Sequence, residues 1–317
     1  MAVLSRREFG NALIAGVPLA AVMGSIRLSA AQVTAGVSTS SFRELPRVTG
    51  RDNVDDVIRA LQAVRARHVE LALANVEPAP PNTAPVIGGS AAYPRRIVMS
   101  PEEIAATNGA ARAALRTWRL QTPAGFFENV RVKFAAAGMT VHACALVCNE
   151  SFTDDEIDAT FRLVKGLGVT IVSSPLTMTT AKRLVPFAER HQVIVAIHNQ
   201  VDGNPAGAID TPHLGQALAL SPLFKLKLDI GNLTASNCDA VAELRQHQSR
   251  VSHVLVKDRL RNGGASQPFG EGDTPIKDVL RVLDGSAPPI PALVEYDYVG
   301  LHSAVDEVTA ALGYLTR

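Results

Sequence analysis

The chain is poor in most features that would place a protein at once. It has only three cysteines, Cys144, Cys148 and Cys238, in 317 residues. An odd count in a chain of this length does not call for a disulfide framework; an oxidising compartment would permit a disulfide, but buried thiols are the expectation. Cys144 and Cys148 have no second pair to complete a four-cysteine zinc site. Charge of one sign is also missing: 31 Lys and Arg stand against 30 Asp and Glu, a net charge of +1. Without a basic field, composition gives no support to nucleic-acid binding. Aromatic residues make up 5% of the chain, and its one tryptophan, Trp118, reads as helix packing. Long apolar runs are absent too. Asn11–Gly24 covers 14 residues and is broken by Pro18, whereas a membrane-spanning helix needs about 20. No heptads or short tandem repeats occur.

That N-terminal segment has another use. Ser5-Arg6-Arg7-Glu8-Phe9 is a twin-arginine pattern, the short apolar run follows it, and Ser29-Ala30-Ala31 supplies small residues for cleavage. Residues 1–31 are therefore expected to be a signal peptide for export of the folded protein to the periplasm. The mature chain would be residues 32–317, one domain without a membrane span.

What is present is a recurrence. VIVAIHNQ, LKLDIGN, HVLVKDR and ALVEYDY are short apolar runs that end in polar groups. His198, Asp229, Lys257 and Glu295 close these runs at spacings of 31, 28 and 38 residues, about one strand, one helix and two loops. Runs of this kind read as parallel strands buried on both faces. Reactive groups at the carboxyl ends of successive strands indicate a (β/α)8 TIM barrel, which needs about 250 residues. Strands are expected from Gln32, His68, Thr140, Val169, Val193, Phe224, Val251 and Pro291. Helices are expected between them, including Asn53–Arg67, Thr179–His191, Asp210–Leu220 and Asp239–His247. Ser100 with Glu103 and Thr153 with Glu156 read as capping boxes. Between strands two and three, Glu77–Gly138 is too long for one connection and predicts an inserted helical segment.

From Val69 to Tyr298 the chain resembles the sugar phosphate isomerase/epimerase family, the xylose-isomerase-like TIM barrels. Within that family it resembles an exported twin-arginine subgroup. VLVKDR followed by FGEGDTPIKDVL, and DIGNLTASN, carry the resemblance most specifically. It implies one divalent metal, Mn, Mg, Zn or Fe, at the carboxyl end of the barrel. The implied ligands are His198, Asp229 and Glu295. His198 stands where ketose epimerases carry Glu. Leu255 replaces the usual histidine of strand seven, Asn232 the histidine after DIG, and Gln200 a second histidine of strand five.

The implied chemistry is removal of a proton next to a carbonyl of a sugar or sugar derivative, with the metal stabilising the enediolate. Glu295 is the expected base, and Lys257 is expected to polarise the carbonyl or hold the substrate. Glu70, Asn149, Asn232 and Asp258 are candidates for substrate hydroxyls, with an ion pair to Lys257 the alternative for Glu70. His253 is expected to be hydrogen-bonded low in the barrel, His142 and His213 to be structural or exposed, and Glu271 and Asp273 to order a loop. A metal-bound His198 has no free lone pair, which argues against two-base epimerisation. A lyase or hydratase acting on an oxidised keto-sugar is the competing enzymatic reading. A barrel that has lost catalysis and only binds carbohydrate is the non-enzymatic one. Expected partners are small carbohydrates and further copies of the chain in a homo-oligomer.

Overall fold

A computed structural model describes residues 33–79, 101–203 and 207–316, with backbone only over 101–107. The twin-arginine segment, Ser100 and most of the Pro-rich stretch lie outside the described residues. The eight apolar runs form one closed parallel barrel. Its strands are β1 (Ala35–Ser38), β2 (His68–Ala72), β3 (Thr140–Ala145), β4 (Ile171–Ser174), β5 (Ile194–His198), β6 (Phe224–Asp229), β7 (Val251–Val256) and β10 (Ala292–Val294). Each strand pairs with its sequence neighbours, and β1 closes the ring by pairing with β10. A short antiparallel hairpin, β8 (Asp258–Arg259) with β9 (Ser266–Gln267), rises from the end of β7.

The helices between the strands are α1 (Val54–Ala63), α2 (Pro101–Gln121), α3 (Ala124–Ala136), α4 (Asp154–Gly166), α5 (Met178–His191), α6 (Leu214–Leu218), α7 (Ile230–Ala235), α8 (Ala240–His247), α9 (Ile276–Asp284) and α10 (Ala304–Leu315). Their starts are chemically marked. Thr153 Oγ1 accepts from the Glu156 amide at 3.2 Å, and Asp239 Oδ1 accepts from the Val241 and Ala242 amides at 3.0 Å each. Such caps satisfy amides that the helix itself leaves open. Two expectations change. The helix from Asp210 is a turn of 3-10 helix, Thr211–His213, followed by the short α6. DIGNLTASN, read from sequence as a motif, is itself helical as α7, because Asp229 caps it. No described helix is long and apolar enough to cross a membrane.

The predicted insertion is present as α2, which lies against α4. Arg119 of α2 donates to Glu77 at 2.6 Å and to Glu156 at 2.7 Å, and Arg112 and Arg116 also reach Glu156. Glu156 is fully buried, so these arginines are what make its burial tolerable. The ion pairs fix α2 to the barrel and bring Arg119 to the carboxyl end of the strands.

Candidate active site

The site grows from strand alternation. In β6, FKLKLD, Phe224, Leu226 and Leu228 share one face while Lys225, Lys227 and Asp229 share the other. Lys227 and Asp229 are both buried. Asp229 is held on every side. Its amide donates to Asn199 Oδ1 at 2.8 Å, its carbonyl accepts from Asn199 Nδ2 at 3.1 Å, and its Oδ1 accepts from the Asn232 amide at 2.9 Å. Oδ2 remains for His198 Nε2 at 3.0 Å and Lys257 Nζ at 3.2 Å. Burial alone would raise the Asp229 pKa, but the Lys257 charge and the His198 hydrogen bond hold it well below the usual carboxylate range. An ionised Asp229 offers no proton, so His198 Nε2 carries the hydrogen and donates. The Nδ1 lone pair of His198 is then left for other work. Burial and the Lys227 charge lower the His198 pKa against the pull of Asp229, which keeps the ring neutral at pH 7.

Lys257 is the centre of a second set of contacts. Its ammonium lies 3.2 Å from Glu295 Oε2 and 3.0 Å from Asp297 Oδ2, besides Asp229. Burial works to lower its pKa, but Asp229, Glu295 and Asp297 together raise it well above the ordinary lysine value. Gly231 lets α7 approach this residue closely: a Cβ there would stand 2.8 Å from Lys257 Cβ. Glu295 also faces Arg43, 3.8 Å from Nη2.

Beneath these groups the barrel interior holds a polar layer. Glu70 Oε2 accepts from Lys227 Nζ at 2.7 Å, and Oε1 accepts from Ser173 Oγ at 2.6 Å and from His253 Nε2 at 3.1 Å. Burial opposes the charge on Glu70, but Lys227 and His253 hold its pKa well below the usual value. Glu70 thus pairs with Lys227, not with the Lys257 considered from sequence. The reason is register: Lys227 lies level with His253, whereas Asp229 lies level with Leu255 one layer higher. His253 sits low in the barrel as expected. His142 packs edge-on against it, and burial together with His253 pushes the His142 pKa down to about 4.

A pocket of about 400 Å³ opens above this layer, with Glu77, Arg119, Ser173, His198, Lys227 and Glu295 on its walls. His198 from β5 and Glu295 after β10 therefore meet one cavity from different sides of the barrel. A smaller lobe of about 260 Å³ shares Ser40, Ala72, Ala74 and Glu295 with it.

Several residues named from sequence are placed elsewhere. Asn149 is exposed, and its Oδ1 accepts from the Ser151 amide and hydroxyl at 3.0 and 2.7 Å, a local turn away from the pocket. Asp258 faces the other way: its carboxylate accepts from the Gly270, Gly272 and Thr274 amides at 2.7, 3.1 and 3.1 Å. That cradle needs glycine, because a Cβ on Gly272 would stand 2.2 Å from Asp258 Oδ1. Asp258 orders the GEGDTP loop and does not reach a sugar. Asn232 is buried behind the wall, bridging the Asn199 carbonyl and Arg259 at 2.9 and 2.7 Å. Lys257 stands behind Glu295 and positions it, while the lysine on the wall is Lys227. Lys227, Arg119, Asp297 and Ser173 were missed from sequence. The signal for Lys227 was legible, since a lysine two residues before Asp229 in a buried strand must share its inward face. Arg119 comes from a helix whose docking no local pattern announces.

The donor set does not suit the divalent ion that the resemblance implies. The three carboxylates that face one point, Asp229, Glu295 and Asp297, already surround the Lys257 ammonium, and among the described residues no set of three His, Cys, Asp or Glu groups is disposed to hold an ion. The Lys257 ammonium occupies the space between Asp229 and Glu295, His198 directs Nε2 at Asp229, and buried Leu255 offers no lone pair.

No family model and no curated protein matches the chain. Solved structures do. The fold they share with this chain is the (β/α)8 TIM barrel. The chain is similar to a xylose isomerase domain protein from Planctomyces limnophilus, with TM-score 0.54, 14% identity, and 90% and 95% of the two chains covered. It is similar to the probable 3-DHS dehydratase of petrobactin synthesis from Bacillus anthracis, with TM-score 0.59, 13% identity, and 90% and 99% covered. It is also similar to 3-keto-D-glucoside 4-epimerase from E. coli, with TM-score 0.56, 10% identity, and 90% and 99% covered. At these identities the likeness concerns the fold, and the chemistry has to be argued from the site itself.

Proposed function

We propose that the chain is an isomerase or epimerase of a sugar or sugar derivative that removes a proton from the carbon next to a carbonyl. The observation that carries this is the placement of two proton-transfer groups, His198 and Glu295, on the walls of one pocket, with buried Asp229 and Lys257 holding them. Glu295 takes the proton, the C–H electron pair becomes a carbon–carbon double bond, and the carbonyl π pair moves to oxygen to give an enediolate. Lys227, a wall residue, donates to that oxygen. His198 Nδ1, with Nε2 anchored on Asp229, accepts or returns a proton on the other side. Return to the neighbouring carbon is isomerisation; return to the opposite face of the same carbon is epimerisation. The sequence argument against a two-base route assumed that a metal occupied His198. With Nε2 bonded to Asp229, that objection falls away.

Metal assistance was the expectation from the resemblance. In this proposal the fixed positive charge of Lys257 neutralises Asp229 and Glu295, and no step passes through an ion. Structures of similar fold include an epimerase and a dehydratase, so elimination from a keto-sugar is the competing chemistry. The twin-arginine pattern supports export, which would make free sugars rather than sugar phosphates the accessible substrates. Periplasmic fractionation of the tagged full-length chain tests that point.

The deciding experiment is deuterium wash-in from D2O into a panel of free sugars and keto-sugars, using the purified mature chain. Exchange with the carbon skeleton retained supports the proposal. Loss of water from the substrate establishes the lyase. Binding without exchange, unchanged by Glu295→Gln, leaves a carbohydrate-binding barrel.

A further inference from the structure

The smaller lobe beside Glu295 has a chemistry of its own. Its walls include Thr39, Arg43, Arg47, Asn53, Asn75 and Glu295. Thr39 and Asn75 are already occupied. Thr39 Oγ1 accepts from the Ala72 amide at 2.8 Å and donates to Asn75 Oδ1 at 2.6 Å, while Asn75 Nδ2 donates to Asn53 Oδ1 at 3.2 Å. The chain of bonds stops there. Asn53 is 3% exposed, and its Nδ2 is a buried donor with no partner. An orphaned buried N–H destabilises the fold unless something fills it.

The two arginines add more donors. Arg43 donates Nε to the Ser40 carbonyl at 3.0 Å and Nη2 to the Tyr296 carbonyl, and keeps 3.8 Å from Glu295. Arg47 donates Nη2 to the Glu77 carbonyl at 2.7 Å. Each guanidinium has five N–H groups, so both retain unused donors. Apart from the Glu295 carboxylate, which is the proposed base, and the Ser40 hydroxyl, the side-chain oxygens of this lobe, on Thr39, Asn53 and Asn75, each already accept a hydrogen bond, whereas N–H groups are left over. A sugar hydroxyl needs to give a hydrogen bond as well as receive one. A carboxylate or phosphoryl group only receives, and it matches a guanidinium fork.

We propose that this lobe is a subsite for an anionic oxygen-rich group of the substrate, so that the molecule turned over is an acidic sugar derivative. Arg43, Arg47 and Asn53 hold the anionic group, and the reacting carbon lies over Glu295 in the larger lobe. This rests on the proton-transfer proposal for its catalytic half but not for its binding half.

The test is calorimetric binding of the mature chain to three matched sets: hexonates and keto-hexonates, the neutral sugars of the same skeleton, and their 6-phosphates. The wild type is expected to bind an acidic set at least tenfold more tightly than the neutral one, with affinity falling as salt rises. Which acidic set wins separates a carboxylate from a phosphoryl ligand. Arg47→Met and Asn53→Asp are expected to remove the preference, and Arg47→Lys to retain part of it. Asn53→Asp keeps the shape but turns the orphaned donor into an acceptor, and an unchanged melting curve shows that the fold survives. Equal binding of neutral and acidic sets, or an acid preference untouched by both variants, overturns the subsite. Acid binding without deuterium exchange keeps the subsite and removes the proton-transfer proposal. Exchange into neutral sugars with no acid preference does the reverse.

Discussion

Replacing Lys257 by methionine isolates the electrostatic core of the site. Lys257 is 7% exposed and its ammonium lies 3.0–3.2 Å from oxygens of Asp229, Glu295 and Asp297. Methionine keeps most of the volume and removes the charge, leaving three carboxylates to repel one another. Removing one partner of a buried ion pair costs about 3–5 kcal/mol. At about 2–4 °C per kcal/mol for a domain somewhat smaller than this one, the melting temperature should fall by roughly 6–20 °C. The pH dependence has a definite sign. In the wild type the depressed Asp229 pKa contributes stability above about pH 4, and that contribution is lost as pH falls through the folded value. The variant lacks it, so the gap between the two proteins should be widest near pH 7 and shrink in acid. Three carboxylates without their lysine should also acquire affinity for a divalent cation, which Mn²⁺ titration followed by electron paramagnetic resonance detects. Urea unfolding of both proteins at pH 7 and pH 3 is the assay. A cost below about 1 kcal/mol at pH 7, or a gap that widens in acid, refutes the view of Lys257 as the resident cation.

Further outcomes follow from the same geometry. Glu295→Gln and His198→Asn should each lower deuterium exchange by about 10²–10⁴-fold while leaving the melting temperature within a few degrees; equal loss of fold and exchange would point to a structural role. Dialysis of the wild type against a chelator should change neither its exchange rate nor its melting curve, and activity that disappears and returns with Mn²⁺ would restore the metal mechanism. Asp258→Ala should cost about 1–3 kcal/mol by orphaning three amides, with faster hydrogen exchange confined to residues 268–274. The His142 pKa is lowered from 6.5 to about 4, so the folded state resists protonation that the unfolded chain accepts. Stability should therefore fall as pH drops from about 6.5 towards 4, and His142→Gln should flatten that slope in denaturation curves.

The barrel was readable because its cause is local. Each strand is a short apolar run, each helix has a periodic face or a capping residue, and the interval between polar strand ends repeats. Asp229 and Glu295 could be named for the same reason, since a polar group that ends a buried strand has to emerge at the barrel rim. The helix Ile230–Ala235 was missed because its cap is Asp229 itself, the residue already assigned to chemistry.

Pairing was not readable. Sequence placed Lys257 and Glu70 on inward faces but could not say that Glu70 would meet Lys227 and His253 while Lys257 would meet Asp229 and Glu295. That choice depends on strand stagger, and a shift of one layer exchanges the partners. The same limit hid Arg119, delivered by an inserted helix, and the unpartnered amide of Asn53, which is conspicuous only once its neighbours are known to be satisfied. By itself the sequence determined the barrel and the end of it that carries the polar groups, because alternation and interval are properties of neighbouring residues. Only the tertiary structure decided that a lysine stands among the carboxylates and that His198 keeps a free lone pair, because those facts depend on which distant side chains share a few ångströms of space.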